Sequence, residues 1–185
     1  MSSRGFQLET DRLRLRPCAG ADLDALHSLF TDPAVRRFLW DDRVIARGET
    51  AGVIEASVAS FTSHGFGQWL AFPREGDALV GFSGLRLVDA TTEVELLYAL
   101  APPRWGRGLA SEAARAVLHH GFAALGIPRI LARADAPNAA SIRVMERLGM
   151  RFVRRGAEHG LDTLCYSLER EDFAPEGDCP SATPS

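Results

Sequence analysis

The stretch EVELLYALAPPRWGRGLASEAARA, from Glu93 to Ala116, decides the fold of this chain. An apolar run typical of a strand leads through two prolines into a glycine-rich turn, and an alanine-rich helix begins there. Gly106 and Gly108 lack a β-carbon, so the backbone of the turn can take unusual dihedrals and an anion can approach its amides. The first turn of a helix leaves N–H groups unpaired, and the helix dipole favours negative charge there. The stretch therefore predicts a cradle for a pyrophosphate.

Three other interpretations of a glycine-rich turn can be weighed from the same residues. A P-loop needs a lysine after its second glycine, and the chain contains no lysine at all. A dinucleotide fingerprint needs an acidic residue about 20 positions later, where this chain has Ile127 to Ile130. Its leading strand would also be almost wholly apolar, whereas this one carries Glu93 and Glu95. A helix start with glycines for tight packing remains open.

Strands and helices are intermixed along the rest of the chain, and no internal repeat interrupts them. Hairpin-connected strands come first, followed by alternating strands and helices. We predict strands at 8–16, 68–72, 79–87, 93–100, 129–134, 152–155 and 163–168, and helices beginning at Asp22 and covering 49–63, 110–125 and 139–148. This pattern predicts one α+β (mixed α/β) domain over residues 1–173, with a largely antiparallel central sheet flanked by helices. Residues 174–185, rich in proline, glycine and serine, predict a disordered tail.

Composition excludes several classes of function. The formal net charge is -3 and the pI is about 6.0, which indicates neither a nucleic-acid footprint nor a polybasic membrane patch. The N-terminus lacks an apolar signal region, so we expect a cytoplasmic protein. Three isolated cysteines predict neither a disulfide framework nor a zinc site. The neighbouring histidines His119 and His120 cannot share a helix face as ligands, so no metal is expected.

Several motifs together resemble one family. The segment WGRGLASEA follows ELLYALAP and precedes an N-x-x-S-x-R-V-M-E-R-L-G-M pattern that starts at Asn138. This combination resembles the GNAT superfamily of N-acetyltransferases, and most closely its RimJ/RimL branch of ribosomal-protein alanine N-acetyltransferases. The opening LETDRLRLRP and the run Gly81 to Leu85 match the same branch. The resemblance extends from about Leu8 to about Leu168.

The resemblance implies a sheet that splays open between the strand at Glu95–Leu100 and the strand at Arg129–Ala134. Acetyl-CoA would lie in that gap, with coenzyme A as the product. The backbone of Tyr98, Ala99 and Leu100 would pair with the pantetheine arm, and Asn138 would bind its far end. The pyrophosphate would be held by the segment Arg104, Trp105, Gly106, Arg107, Gly108, Leu109, Ala110 and Ser111.

Two departures from the wider superfamily matter. Trp105 stands where many members have Gln or Arg, although this branch commonly has Trp there. Met145 stands where many members carry a tyrosine that acts as general acid, so a tyrosine acid at that position is excluded.

Transfer to an amine needs a base, a donor for the developing oxyanion and protonation of the leaving thiolate. Glu95, on the strand that would hold the cofactor, is the candidate base, directly or through water. It could equally bind a cationic substrate or pair with an arginine. Ser141 is the candidate to protonate or hydrogen-bond the thiolate near the sulfur, although water could suffice. Asn138 and Ser141 also suit the capped first turn of a helix.

The acceptor side is less defined by the sequence. Aromatic residues such as Phe38 and Trp40 could line a pocket or belong to the core. Asp41 and Asp42 could meet a cationic amine or form a solvated loop. We expect an acetyl-CoA-dependent N-acetyltransferase acting on a protein N-terminus or a small-molecule amine. Such an enzyme could form a homodimer. The alternative is a non-catalytic acyl-CoA-binding sensor or interaction module.

Overall fold

A computed structural model describes residues 6–88, 91–158 and 160–174 of the chain, without the side chain of Glu158. Their backbone forms one sheet of eight strands. The strands are β1 (Leu8–Glu9), β2 (Leu13–Pro17), β3 (Gln68–Pro73), β4 (Gly81–Leu87), β5 (Val94–Leu100), β6 (Arg129–Asp135), β7 (Arg151–Glu158) and β8 (Leu161–Glu169). Five α-helices accompany them: α1 (Leu23–Thr31), α2 (Pro33–Leu39), α3 (Arg47–His64), α4 (Leu109–His119) and α5 (Ala139–Arg147). The predicted mixed α/β class is confirmed, while the predicted tail lies outside the described residues except for Ala174.

The strand order is β1-β2-β3-β4-β5-β6-β8-β7, and the only parallel neighbours in the described sheet are β5 and β6. Their pairing is limited to Val94 with Ile130 and Glu95 with Leu131. From Leu96 onward the two strands separate, although each remains paired with its outer neighbour. The expected splay between these strands is therefore confirmed, and it opens a cleft in the middle of the sheet.

The helices cover the two faces of the sheet with separate apolar clusters. Helices α4 and α5 pack on one face, where buried Ala113, Val117 and Met145 meet inward-facing residues of β5 and β6. Helices α1, α2 and α3 contribute to the cluster on the other face, with Leu26 and Ile54 among its buried residues. Because side chains alternate along a strand, Leu96, Tyr98 and Leu100 contact the first cluster, whereas Leu97 and Ala99 contact the second.

The first predicted strand is two strands. Instead of one strand over 8–16, β1 and β2 form an antiparallel pair in which Leu8 lies opposite Leu15. The turn between them is closed by hydrogen bonds between Thr10 and Leu13, and the Thr10 hydroxyl donates to Glu112 on α4 at 2.5 Å. The alternating leucines predicted strand geometry correctly, but this turn depends on a carboxylate 102 residues away.

Helix α2 was not predicted. Asp32 caps it by accepting hydrogen bonds from the amides of Ala34 and Val35, and Pro33 occupies its first position. An aspartate followed by proline is a known helix start, so the sequence signal was present. Asp22 precedes α1, as predicted, but its carboxylate makes no cap bond and instead binds Arg16 and the amide of Ala19.

The α-helical part of α4 ends earlier than predicted, at His119. A π-helical turn follows it from His120 to Ala124. His120 Nε2 lies 2.9 Å from the carbonyl oxygen of Gly65, a contact between distant segments that the local pattern does not indicate. In the described part of the chain, no helix combines the length and apolarity that crossing a bilayer requires.

Gly84 in β4 lies where the backbones of two strands approach closely. A β-carbon on Gly84 would lie 2.5 Å from the carbonyl oxygen of Gly67 and 2.8 Å from the Cα of Gln68. We expect Gly84→Ala to lower the free energy of unfolding by about 2 kcal/mol, because backbone atoms cannot move aside cheaply. The midpoint of urea denaturation would measure the change.

Gly52 provides the matched control, since a β-carbon there meets nothing within 4 Å. It lies inside α3, so Gly52→Ala should stabilise the protein by roughly 0.5–1 kcal/mol through helix propensity. Equal stability of the two alanine variants would contradict the close approach at Gly84.

Candidate active site

The splay between β5 and β6 opens into a cleft of about 630 Å³, a size suited to a small-molecule ligand. Its walls come from β5, β6, the turn before α4, the first turns of α4 and α5, and helix α2 on the opposite face. All of the residues predicted for the site line this cleft except Arg107. Their catalytic and binding roles remain predictions.

Glu95 occupies the vertex of the cleft, at the last paired position between β5 and β6. It is buried, with 1% of its surface exposed, and both carboxylate oxygens accept hydrogen bonds from arginines. Arg133 Nε donates to Oε1 at 2.6 Å, and Arg133 Nη2 donates to Oε2 at 3.0 Å. Arg86 Nε donates to Oε2 at 2.7 Å from the neighbouring strand β4. A buried carboxylate is costly without such partners, so the arginine pairing explains how it is tolerated.

The charge state of Glu95 follows from two opposing effects. Burial raises the pKa of the carboxyl, but hydrogen bonds and charges from Arg133 and Arg86 outweigh burial and lower the pKa below its ordinary value of 4.5. Glu95 is therefore ionised at neutral pH. Among the described residues, Oε1 accepts a hydrogen bond from Arg133 alone, and a carboxylate oxygen can accept two.

The turn before α4 has the geometry of an anion cradle. Gly106 and Gly108 adopt left-handed backbone angles, with φ of 73° and 75°, which residues other than glycine rarely adopt. Gly108 is the N-cap of α4, and no side chain caps the helix there, so the amides of its first turn are not occupied by a capping group.

Ser111 gives an independent sign that this cradle fits a ligand. Its hydroxyl oxygen is buried and has no hydrogen-bond partner among the residues that the structure describes, an arrangement that costs free energy unless a ligand or water completes it. Arg104 lines the same wall, and the indole N–H of Trp105 donates to the carbonyl of Leu100 at 2.7 Å. The phosphates of a coenzyme would satisfy the Ser111 hydroxyl and the free amides together.

Arg107 lies outside the cleft lining. Its carbonyl accepts a hydrogen bond from Arg12 Nη1 at 2.9 Å, and Arg12 also pairs with Glu112 at 2.5 Å. The β1–β2 turn thus supports the loop from outside. The sequence indicated positive charge at Arg107 but not this support, because Arg12 lies 95 residues earlier.

On the other side of the splay, the first turn of α5 faces β5. The side chain of Asn138 accepts a hydrogen bond from the amide of Ser141 at 3.2 Å, so Asn138 is the predicted N-cap. Both residues also line the cleft. The hydroxyl of Ser141 lies 2.8 Å from the hydroxyl of Tyr98, which connects α5 to β5 across the gap. Met145, one turn later, is fully buried in the core.

The opposite end of the cleft has a different chemistry. Phe38 and Leu39 of α2 provide an apolar wall, and Asp41 and Asp135 add two carboxylates. Asp135 is half-buried at the end of β6. Burial raises its pKa, and the negative charge of Asp41, which lines the same cleft, raises it further. Asp42 turns elsewhere and pairs with Arg36 at 2.9 Å.

Sequence reasoning missed Asp135. It lies two residues after Arg133 on the same face of β6, so strict alternation along the strand next to the predicted splay was a usable signal. The contribution of α2 was missed with the helix itself, while Asp41 was considered with a solvated loop as its alternative. In the structure, Asp41 is exposed to solvent and also lines the cleft.

Comparison with known proteins agrees with this geometry. Residues 12–151 match the family model described as acetyltransferase (GNAT) domain. The uncharacterized N-acetyltransferase YoaA of Bacillus subtilis is 30% identical over 170 residues, covering 87% of this chain and 95% of that protein. The chain belongs to the GNAT family of acetyltransferases, and it is an enzyme of that class.

Solved structures show the same fold. The acetyltransferase from Agrobacterium tumefaciens superimposes with a TM-score of 0.79 at 27% identity, covering 88% of this chain and 94% of the other. The RimL ribosomal L7/L12 alpha-N-protein acetyltransferase in complex with coenzyme A gives a TM-score of 0.74 at 19% identity, covering 88% and 97%. The predicted GNAT resemblance is confirmed, and RimL is among its structural neighbours.

Replacing Glu95 tests whether its pairing with two arginines stabilises the protein. Glu95→Gln keeps the shape of the side chain but leaves two arginines without their counter-charge in a buried place. We expect the free energy of unfolding to fall by about 2 kcal/mol, less than for a fully buried pair because Arg86 is half exposed. Urea denaturation at pH 7 measures the loss.

The same pair of proteins gives a pH test. The folded-state pKa of Glu95 is lowered, so its contribution is fully present above the unfolded pKa and is lost as pH falls through the folded pKa. The stability difference between wild type and Glu95→Gln should be constant above about pH 5 and shrink below about pH 4. A difference that grows on acidification would contradict the arginine-paired carboxylate.

Proposed function

We propose that this enzyme transfers the acetyl group of acetyl-CoA to a primary amine by direct attack of the amine on the thioester. The observation that carries the proposal is the cleft itself, which joins an anion cradle on one side of the splayed sheet to a carboxylate-lined end on the other. One ligand with phosphates and one cationic acceptor suit these two ends.

On the coenzyme side, the amides from Trp105 to Ser111 hold the pyrophosphate, and the Ser111 hydroxyl gains the partner it lacks in the protein. The exposed edge of β5 at Tyr98, Ala99 and Leu100 pairs with the pantetheine arm, since β6 has left that edge after Glu95. Asn138, which also lines the cleft, binds the far end of the pantetheine arm. The coenzyme supplies an activated thioester, and the protein orients it.

On the acceptor side, Asp41 and Asp135 attract an ammonium group into the cleft, and Phe38 excludes water from one wall. The nucleophile must lose a proton first. An α-amino group, with a pKa of about 8, loses it far more readily than an alkyl amine with a pKa of about 10. A protein N-terminus therefore demands less of the base than a polyamine does.

Glu95 remains the proposed base, acting through water. Its lowered pKa makes it a weak proton acceptor, and Arg86 and Arg133 occupy most of its acceptor positions. The second acceptor position on Oε1 can hold the water that takes the proton from the amine. A weak base at this place favours an acceptor of low pKa, so we propose the protein N-terminal amine ahead of a small alkyl amine.

The first test is thiol release from acetyl-CoA with N-terminal peptides, polyamines, amino acids and aminoglycosides as acceptors. We expect turnover with at least one peptide at neutral pH. In Gly108→Ala, the left-handed N-cap is strained and the loop amides are displaced, so calorimetry should show about tenfold weaker acetyl-CoA binding.

Gly76→Ala is the matched control for Gly108→Ala, because Gly76 also has a left-handed φ, of 104°, in the turn after β3. It should leave coenzyme affinity unchanged. Tight acetyl-CoA binding without turnover of any amine would favour the non-catalytic acyl-CoA-binding module. A cytoplasmic location and a homodimer remain predictions.

The acidic end of the cleft is tested with Asp135→Asn. Removing one charge that faces the acceptor should raise the acceptor KM about fivefold, with the KM for acetyl-CoA unchanged. Asp77→Asn is the control, since Asp77 pairs with Arg14 on the surface away from the cleft. An equal rise in both Michaelis constants would contradict a role specific to the acceptor.

A further inference from the structure

The side chain of Tyr98 crosses the splay beyond Glu95, the last residue of β5 that pairs with β6. Its hydroxyl oxygen lies 3.0 Å from the carbonyl oxygen of Ser141 and 2.8 Å from the Ser141 hydroxyl oxygen, and its single hydrogen can be donated to either of them. Tyr98 belongs to β5 and Ser141 to the first turn of α5, 43 residues later. The contact therefore joins the two walls of the cleft.

The pair is set apart from ordinary core packing by its place in the cleft. Both Tyr98 and Ser141 line the cleft, and both are only partly buried. Met145, one helical turn beyond Ser141, is fully buried and carries no hydroxyl. Among the described residues that line the cleft, Tyr98 is the only one with a phenol.

We propose that Tyr98 is a positioning residue for the leaving thiolate and acts through Ser141. This inference rests on the proposed acetyl transfer. In the arrangement we propose, the single phenolic hydrogen is donated to the Ser141 hydroxyl oxygen rather than to the Ser141 carbonyl, which leaves the hydrogen of the serine hydroxyl available for the sulfur. When the N–C bond forms and the C–S bond breaks, the electron pair of that bond goes to sulfur. The oriented Ser141 hydroxyl then donates a hydrogen bond to the thiolate.

No proton leaves Tyr98 in this scheme. Burial raises the pKa of its phenol to about 12, well above the value of about 8.5 that is ordinary for a thiol. A thiolate is too weak a base to take that proton, so it is protonated finally from solvent, and the amine proton goes to the water at Glu95. Tyr98 and Ser141 contribute orientation and hydrogen bonding.

The variant Tyr98→Phe removes one hydroxyl and keeps the ring that packs against the core. With an acceptor turned over by the wild type, we expect kcat to fall about tenfold while the KM for acetyl-CoA stays within about twofold. In a Ser141→Ala background, Tyr98→Phe should cause no further loss, because its effect passes through the serine. The matched control is Tyr166→Phe, a buried tyrosine of β8 outside the cleft, which should keep the wild-type kcat.

A second readout does not depend on turnover. Calorimetry would compare the dissociation constants of coenzyme A and of desulfo-coenzyme A, which lacks the thiol. The preference of the wild type for coenzyme A should fall about threefold in Tyr98→Phe, and Tyr98→Phe should not change it in the Ser141→Ala background. Thermal denaturation of each variant checks that the fold is retained.

The outcomes separate this inference from the proposed function. An unchanged kcat, an unchanged preference for the thiol, or an additional loss in the Ser141→Ala background would each overturn the role of Tyr98 while leaving the acetyltransferase intact. A wild type that turns over no amine would remove the proposed function, and the calorimetric preference would then decide alone whether Tyr98 orients Ser141 toward sulfur.

Discussion

The limited pairing between β5 and β6 is the constraint on which the rest of the structure depends. Two rungs, at Val94 and Glu95, hold the halves of the sheet together, and beyond them the strands separate. The free edge of β5, the cleft and the approach of α5 all follow from that separation. Glu95 at the vertex is held by arginines from β4 and β6, so a charged cluster stands where backbone bonding ends.

The splay also divides the chemistry between the two faces of the sheet. Helices α4 and α5 bring a glycine-rich turn, an unpartnered Ser111 hydroxyl and the Tyr98–Ser141 contact to one face. Helix α2 and the end of β6 bring an apolar wall and two carboxylates to the other. Two substrates of opposite charge can thus reach one gap from opposite sides, and neither has to pass the other. This arrangement supports the proposed transfer by direct attack.

Two carboxylates of the cleft differ according to their surroundings. Glu95 is nearly inaccessible, and its arginines lower its pKa, whereas Asp135 is half-buried near Asp41, and its pKa is raised. The first carboxylate stabilises the vertex, and its lowered pKa makes it a weak base. The second lines the cleft. No pattern in the sequence separates these two roles, because they depend on which charges fold against each carboxylate.

Much of the fold could be predicted from local pattern. The alternation in β5, the glycine-rich turn into α4 and the Asn138 cap of α5 are short-range features, since backbone geometry and capping depend on neighbouring residues. The misses have local and distant causes. Helix α2 had a readable Asp32–Pro33 start that was overlooked. The β1–β2 turn is held by Glu112, and no local signal contains that contact.

The sequence by itself determined the family, the order of most elements and the position of the glycine-rich turn before α4, because glycine, proline and capping residues act over a few positions. Only the tertiary structure decided that Arg86 and Arg133 both bind Glu95, that Asp41 and Asp135 line one cleft, and that Tyr98 reaches Ser141. These relations join residues on different strands and helices. They exist only after the two faces of the sheet have been packed, and packing depends on the whole chain at once.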